Sequence, residues 1–210
     1  MPKKRRVWYP GAKYHITSRG NRRNDIFKEA ADYYHFLKIL EDLKEEHGFT
    51  IHSICLMTNH FHMLIETGDV EIWKTMQMFL RAYAVYFNKK YVLTGHLFEN
   101  RYVGQLISDQ AYFLEVSRYI HLNPVKAGIV RRAKDYKYSS YADFLWADGK
   151  KRTAVSHLVD TSLVLSCFWG DSRRQYRLFV EDNRSHVEEE KQIQKDMKED
   201  DFWMPRYRVT

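Results

Sequence analysis

Two strand-like runs in the middle of the chain, residues 49–57 and 60–66, are separated by only Thr58 and Asn59. A connection this short is typical of an antiparallel β-hairpin, because parallel strands need a crossover of a dozen or more residues. The sequence therefore predicts a hairpin in the middle of the chain, and a hairpin is stable only within a larger sheet or against a helix.

Long helical patterns lie on both sides of this hairpin. Apolar residues recur at helical spacing over residues 30–47, which are followed by the helix-terminating Gly48, and again over residues 70–90. Residues 109–123 predict a third helix, with Asp109 as its N-cap and Pro124 as its end.

Strand patterns complete the order of elements. Residues 13–18 predict a strand before the first helix, and residues 96–107 predict a strand or a strand pair after the second. The order β-α-β-β-α-β, followed by a helix, predicts an α+β fold of the ferredoxin-like, split βαβ type, with two helices on one face of an antiparallel sheet.

The last third of the chain is predicted to be helical. Residues 156–168 and 171–182 have helical patterns, and residues 185–201 form a charge-rich helix or tail. We therefore divide the chain into residues 1–145, an α+β domain with a basic arm, and residues 146–210, a C-terminal helical extension with a charged tail.

Charge is distributed unevenly along the chain, whose net charge is +7. The first 23 residues carry eight Lys or Arg and no acidic residue, whereas residues 182–201 carry eight acidic and four basic residues. A basic arm with interleaved aromatic residues favours a nucleic acid partner, because cations neutralise phosphates and aromatic rings stack on bases. A solubilising tail is the alternative, and the acidic segment could cover the basic site until a polyanion displaces it.

Two classes of protein are disfavoured. No apolar run approaches the length of a membrane span, and no apolar signal core follows the basic N-terminus, so we expect a cytoplasmic protein without a membrane partner. Cys55 and Cys167 are too few for a disulfide framework or a thiolate zinc site.

The second strand of the hairpin begins with His60 and His62. Side chains alternate along a strand, so the two imidazoles are predicted to share a face, where they could bind a metal ion. They could equally be two histidines on the solvent face of a half-buried strand. On the third helix, Tyr119 and Asn123 are one turn apart and share a face. They are either packing residues or a nucleophile with a neighbouring oxygen ligand.

Three segments, YHITSRGNRR, NHFHML and RYIHLNPVKAGIV, occur in this order over residues 5–145. Together they resemble the single-tyrosine transposases of the His-hydrophobe-His (HUH) nuclease superfamily, in the branch associated with repetitive extragenic palindromes (REP). The resemblance implies a divalent-metal-dependent endonuclease and strand transferase. Such an enzyme cuts single-stranded DNA at palindromic hairpins through a 5′-phosphotyrosine intermediate, and is nucleoid-associated when bound to DNA.

Carried over to this chain, the resemblance implies a specific set of site residues. Tyr119 is the expected nucleophile, and His60, His62 and Asn123 are the expected ligands of Mg²⁺ or Mn²⁺. Because such an enzyme must bind DNA, contacts are also expected from basic residues of this chain: Lys3, Lys4, Arg5, Arg6, Arg19, Arg22, Arg23, Arg101 and Arg118. The resemblance leaves open whether the protein is a monomer or a homodimer.

Several alternatives remain at this point. The chain could be a domesticated protein that binds hairpin DNA or RNA without cutting it, or a metal hydrolase with Glu66 as its base. Tyr112 could serve as a second tyrosine, and His15 could contact DNA or orient a ligand. His121 is predicted to lie on a different helix face from Tyr119.

Overall fold

The elements follow one another in the predicted order in a computed structural model, which describes residues 7–146, 153–182 and 187–200. The strands are β1 (Lys13–Arg19), β2 (Thr50–Leu56), β3 (His60–Glu66) and β4 (Val103–Leu106). The helices are α1 (Ala30–His47), α2 (Ile72–Tyr91), α3 (Gln110–Lys126), α4 (Tyr141–Leu145), α5 (Ser162–Ser166), α6 (Ser172–Glu181) and α7 (Val187–Asp200).

The strands form one antiparallel sheet in the order β2-β3-β1-β4. β2 and β3 are the predicted hairpin, and β1 lies between β3 and β4. Within the β1–β3 pair, Thr17 is opposite His62 and Arg19 is opposite His60. This arrangement confirms the ferredoxin-like fold, and it brings the end of β1 beside the start of β3.

Side-chain alternation along β3 separates two cores. Phe61, Met63 and Ile65 point to the face that α1 and α2 cover, where rings such as Phe36 and Tyr83 pack against them. The predicted pair of helices on one face is thus confirmed. Leu64 belongs to a second cluster on the opposite face, which α3 and the C-terminal helices cover.

Buried polar groups join α3 to its neighbours. Ser117 of α3 bonds both Ser53 of β2 and Tyr176 of α6, each at 2.7 Å. His121, which is fully buried, bonds the Tyr176 hydroxyl through Nδ1 and the Ser140 hydroxyl through Nε2. Because every member of this network has a partner, α3 is held in one position against the sheet.

Two predicted helix boundaries are wrong. α3 does not end at Pro124 but continues to Lys126. A proline this near a C-terminus removes only one hydrogen bond, and the N–H of Ala127 still bonds the carbonyl of Asn123 at 2.9 Å to close the last turn. The predicted helix over residues 156–168 is reduced to the five residues of α5.

Candidate active site

The two histidines of β3 lie side by side on the face that α3 covers. Their ring centroids are 5.1 Å apart and their planes are perpendicular. His62 is buried, while His60 is partly exposed. The strand period therefore produces the imidazole pair that the sequence predicts.

Each imidazole has an outer partner at Nδ1. The Nδ1 of His60 lies 2.6 Å from Oδ1 of Asn59, and the Nδ1 of His62 lies 3.1 Å from Nε2 of His15. Burial, with the charge of Arg19 as a second cause, lowers the pKa of His60 to about 4. Burial and neighbouring charges also hold the pKa of His62 well below its usual value. Both rings are therefore neutral at physiological pH, which is the form that binds metals.

Tyr119 meets the histidine pair from α3. Its ring centroid is 5.5 Å from that of His62 and 5.9 Å from that of His15, and the residue is 7% exposed. Burial raises the pKa of Tyr119, and the carboxylate of Glu190 raises it further, whereas Arg19 and a hydrogen bond with Asn123 lower it. The hydroxyl is thus protonated at neutral pH and must lose its proton to act as a nucleophile.

Asn123 lies one turn further along α3. Its Nδ2 donates to the carbonyl oxygen of Tyr119 at 2.8 Å. Since one hydrogen of the amide group faces its own helix, the side chain is tied to the turn that carries Tyr119.

The donor set is compatible with a metal site that is open to substrate. The described residues include no group of three or more His, Cys, Asp or Glu placed to hold a metal ion. A neutral imidazole with its ring hydrogen on Nδ1 has Nε2 free as a ligand atom, and outer hydrogen bonds at Nδ1 are usual for metal-binding histidines. His60 and His62 would thus hold a divalent ion, with the Asn123 amide as a candidate third ligand and water or phosphate at the other positions.

A cavity of about 370 Å³ opens beside Tyr119. Arg19 and Arg23 line it from the end of β1 and the following turn, and Tyr102 lines it from the segment before β4. Gln194 of α7 lines it as well. Cationic and aromatic groups therefore surround the tyrosine, as a site for single-stranded DNA requires.

The predicted DNA-binding residues fall into three groups. Arg19, Arg22, Arg23 and Arg101 are exposed. Lys3, Lys4, Arg5 and Arg6 lie outside the described residues. Arg118 is only 5% exposed, and its guanidinium donates to the carbonyl oxygens of Phe179 and Asp182 and contacts Glu190 at 3.3 Å. Arg118 therefore ties the C-terminal helices to α3, and we do not retain it as a DNA contact.

The hydrolase alternative finds no support. Glu66 bonds His52 at 3.0 Å and Lys13 at 3.2 Å at the far end of β3. Four residues along a strand span about 13 Å, so its carboxylate is remote from His62.

The sequence predicts that the acidic segment could cover the basic site, but not that α7 contacts α3 beside Tyr119. Glu190 contacts Lys126 at 2.5 Å, and the ammonium group of Lys126 lies 4.9 Å from the ring centroid of Tyr119. Ile193 is fully buried in the second core cluster. Val187, Ile193 and Met197 are the apolar residues of α7, and this sparse set in a charged run is a weak sequence signal for packing.

The family model for transposases described as IS200-like matches residues 9–123, more than half of the chain. The chain belongs to the IS200-like transposase family. The matched residues include β1, the histidine hairpin and α3 up to Asn123. In this IS200-like transposase, the family model therefore covers the elements that carry the two histidines, Tyr119 and Asn123.

This IS200-like transposase is similar to the following two proteins. A Haemophilus influenzae protein assigned as a REP-associated tyrosine transposase is 26% identical over 141 residues, which are 61% of this chain and 72% of that protein. The structure of a REP-associated tyrosine transposase bound to a REP hairpin is 20% identical, with a TM-score of 0.57 over 74% of this chain and 96% of that one. The second similarity shows a shared fold. Among the residues that the structure describes, no helix is both long and apolar enough to cross a bilayer.

Proposed function

We propose that this transposase is a divalent-metal-dependent endonuclease and strand transferase that acts on single-stranded DNA hairpins through a covalent phosphotyrosine. The observation that carries the proposal is the position of Tyr119, whose ring lies 5.5 Å from that of His62 beside a cavity lined by Arg19 and Arg23. The resemblance to REP-associated tyrosine transposases points to imperfect palindromes as the substrate.

The reaction follows from these groups. The Tyr119 oxygen attacks the scissile phosphorus, a bond forms between them, and the bond from phosphorus to the 3′ oxygen breaks. The tyrosine proton is lost to solvent, and the freed 3′ oxygen takes up a proton. A second 3′ hydroxyl can reverse the step and join new strands, because the phosphotyrosine conserves the energy of the phosphodiester.

His60 and His62, with Asn123 as a candidate third ligand, would hold Mg²⁺ or Mn²⁺. A bound divalent ion would polarise the phosphate and stabilise the departing oxygen. Arg19 and Arg23 would neutralise the phosphates on either side, while Arg22 and Arg101 extend the cationic surface. The arm residues Lys3 to Arg6 would add contacts that are independent of sequence.

The division of the chain has a functional counterpart in this proposal. Residues 1–145 supply the histidines, the tyrosine and the arginines, and constitute the nuclease domain. Residues 146–210 would be the helical extension, of which the described helices α6 and α7 contact α3. Ile193 and Tyr176, both fully buried in the core cluster shared with α3, support this role.

The nucleophile is tested with a labelled single-stranded hairpin and Mn²⁺. Wild-type protein should form a covalent protein–DNA adduct that survives denaturing electrophoresis. Tyr119→Phe should abolish the adduct and retain hairpin binding, because only the hydroxyl is lost. Tyr112→Phe, on the same helix, is the matched control and should form the adduct as wild type does.

Two results contradict the proposal. If the adduct persists in Tyr119→Phe but disappears in Tyr112→Phe, the nucleophile is Tyr112 and not Tyr119. Wild-type protein that binds hairpins tightly and never forms an adduct, with either Mg²⁺ or Mn²⁺, is instead a non-cleaving binding protein for hairpin DNA or RNA.

A further inference from the structure

Asn59, in the turn between β2 and β3, connects a histidine to an arginine loop. Its Nδ2 donates to the carbonyl oxygen of Arg23 at 3.1 Å, and its Oδ1 lies 2.6 Å from Nδ1 of His60. One side-chain amide therefore bridges His60 of β3 and the turn that follows β1.

The hydrogen-bond direction in this bridge is fixed by chemistry. A backbone carbonyl oxygen only accepts, so the NH₂ group of Asn59 must face Arg23 and its oxygen must face His60. An amide oxygen also only accepts, so Nδ1 of His60 must carry a hydrogen. A neutral imidazole has one ring hydrogen, and the lone pair of His60 is then on Nε2.

We propose that Asn59 is a positioning residue that fixes His60 in the tautomer with hydrogen on Nδ1 and a lone pair on Nε2, ready to bind a divalent cation. The proposal rests on the proposed function in taking His60 as a metal ligand. The Arg23 carbonyl determines this tautomer through the amide, before any metal binds.

The second histidine lacks such one-way control. The partner of His62 is His15, and an imidazole nitrogen either donates or accepts depending on its tautomer. Nδ1 of His15 is buried without a hydrogen-bond partner, so it supplies no direction either. Of the two histidines, only His60 therefore has hydrogen-bond partners that determine which ring nitrogen is free before a metal binds.

The same amide also supports the arginine loop. Arg22 and Arg23 have φ values of 54° and 61°, in the left-handed region that costs energy for residues other than glycine. The Asn59 bond to the Arg23 carbonyl helps to hold this turn, and Arg23 lines the cavity beside Tyr119. Asn59 thereby couples the geometry of a metal ligand to that of a cation at the cavity.

The tautomer can be measured directly in protein without metal or DNA. Long-range ¹H–¹⁵N correlation spectra of histidine-labelled protein at neutral pH distinguish a protonated ring nitrogen from an unprotonated one. Wild type should show His60 with hydrogen on Nδ1. Asn59→Leu should return His60 to the tautomer mixture of an unconstrained imidazole. Asn59→Asp keeps an acceptor beside His60 and should retain the Nδ1–H form.

Asn88→Ala is the matched control, because the Asn88 amide also donates to a backbone carbonyl, that of Gly95, at 3.0 Å. It should leave the His60 signals unchanged, and circular dichroism should show that every variant is folded. Hydrogen on Nε2 of His60 in wild type, or an unchanged Nδ1–H form in Asn59→Leu, overturns the proposal.

Metal affinity provides a second readout. Mn²⁺ binding, followed by electron paramagnetic resonance, should weaken about 10- to 100-fold in Asn59→Leu, as is typical when an outer partner of a ligating histidine is removed. Asn88→Ala should bind Mn²⁺ as wild type does, and equal affinity in Asn59→Leu and wild type contradicts the link to the metal. Failure to form a DNA adduct contradicts the proposed function alone, because the tautomer is measured without DNA.

Discussion

A single carboxylate, Asp32, connects the two helices that cover one face of the sheet. It is fully buried in α1 and accepts hydrogen bonds from Lys90 at 2.6 Å and Tyr91 at 2.7 Å, both on α2. Burial opposes its ionisation, but these bonds and those from the Lys28 and Glu29 N–H groups lower the pKa of Asp32 to about 2. The charged form therefore stabilises the fold.

The lowered pKa makes stability depend on pH. A carboxyl whose pKa falls on folding stabilises the protein fully above its unfolded pKa, and this contribution is lost as pH falls through the folded value. Between about pH 5 and pH 2 the free energy of unfolding should therefore lose about 2 kcal/mol through Asp32. Asp32→Asn should lower stability at pH 7 by at least this amount and flatten the decline, as measured by urea unfolding.

Asp42→Asn is the control for this measurement. Asp42 pairs with Lys38 at 2.9 Å on the exposed side of α1, where ion pairs contribute little. Its loss should change the free energy of unfolding by less than about 0.5 kcal/mol. Equal effects of the two substitutions would show that the buried network is not the source of the pH dependence.

Individual site residues differ in how far the sequence predicts them. His60 and His62 are two apart on a strand, so the strand period alone puts them on one face. No local pattern could show that His15 lies beside His62, since that contact depends on the pairing of β1 with β3. Arg118 was assigned to DNA because it is cationic, but the segments that bury it are more than 60 residues away in sequence.

At the scale of elements, α7 is the addition that most affects the site. Its Glu190 raises the pKa of Tyr119, behind burial as the main cause. Other groups that face the Tyr119 side chain are Arg19 from β1, Lys126 from α3 and the neutral rings of His15 and His62. The carboxylate thus disfavours the ionised form of Tyr119, the proposed nucleophile.

Glu190→Gln should therefore make Tyr119 a nucleophile at lower pH. Without the carboxylate the pKa of Tyr119 falls, so the rise of adduct formation with pH should occur at lower pH than in wild type. The pH profile of single-turnover adduct formation measures this. Glu188→Gln changes an exposed carboxylate of the same helix and should leave the profile in place. A shift to higher pH in Glu190→Gln contradicts the electrostatic role.

Element boundaries show where local patterns fail. The limits of α1 follow from its periodicity and from Gly48, whose φ of 67° suits glycine. Local pattern does not predict that α3 continues past Pro124, because proline usually ends a helix, whereas here the N–H of Ala127 bonds the carbonyl of Asn123 and closes the last turn. α5 is shorter than predicted because the residues just before it pair with β2. The N–H of Asp160 bonds the carbonyl of Ile51, and Val159 forms a parallel bridge with Ile51 at the sheet edge.

For the whole molecule, the uneven charge predicts how DNA binding responds to salt. Each phosphate contact that releases a counterion contributes about 0.7 to the slope of log affinity against log salt for single strands, and about 0.9 for duplex. The arm begins with four cations that precede the described residues: Lys3, Lys4, Arg5 and Arg6. Arg19 and Arg23 line the cavity beside Tyr119. Replacing the first four by glutamine should make the slope less negative by up to about 2.8 if they contact a single strand and about 3.6 if they contact a duplex stem.

The comparison that isolates the arm uses cations on the other side of the sheet. Lys38 and Lys74 lie on α1 and α2, in ion pairs with acidic neighbours and away from Tyr119. Replacing both by glutamine lowers the net charge without changing the arm. An effect of net charge on DNA affinity should therefore also be seen in this variant. If the arm contacts phosphates, only its replacement changes the salt slope, whereas a uniform field changes both slopes in proportion to the charges removed. Hairpin affinity measured from about 50 to 200 mM salt separates the two outcomes.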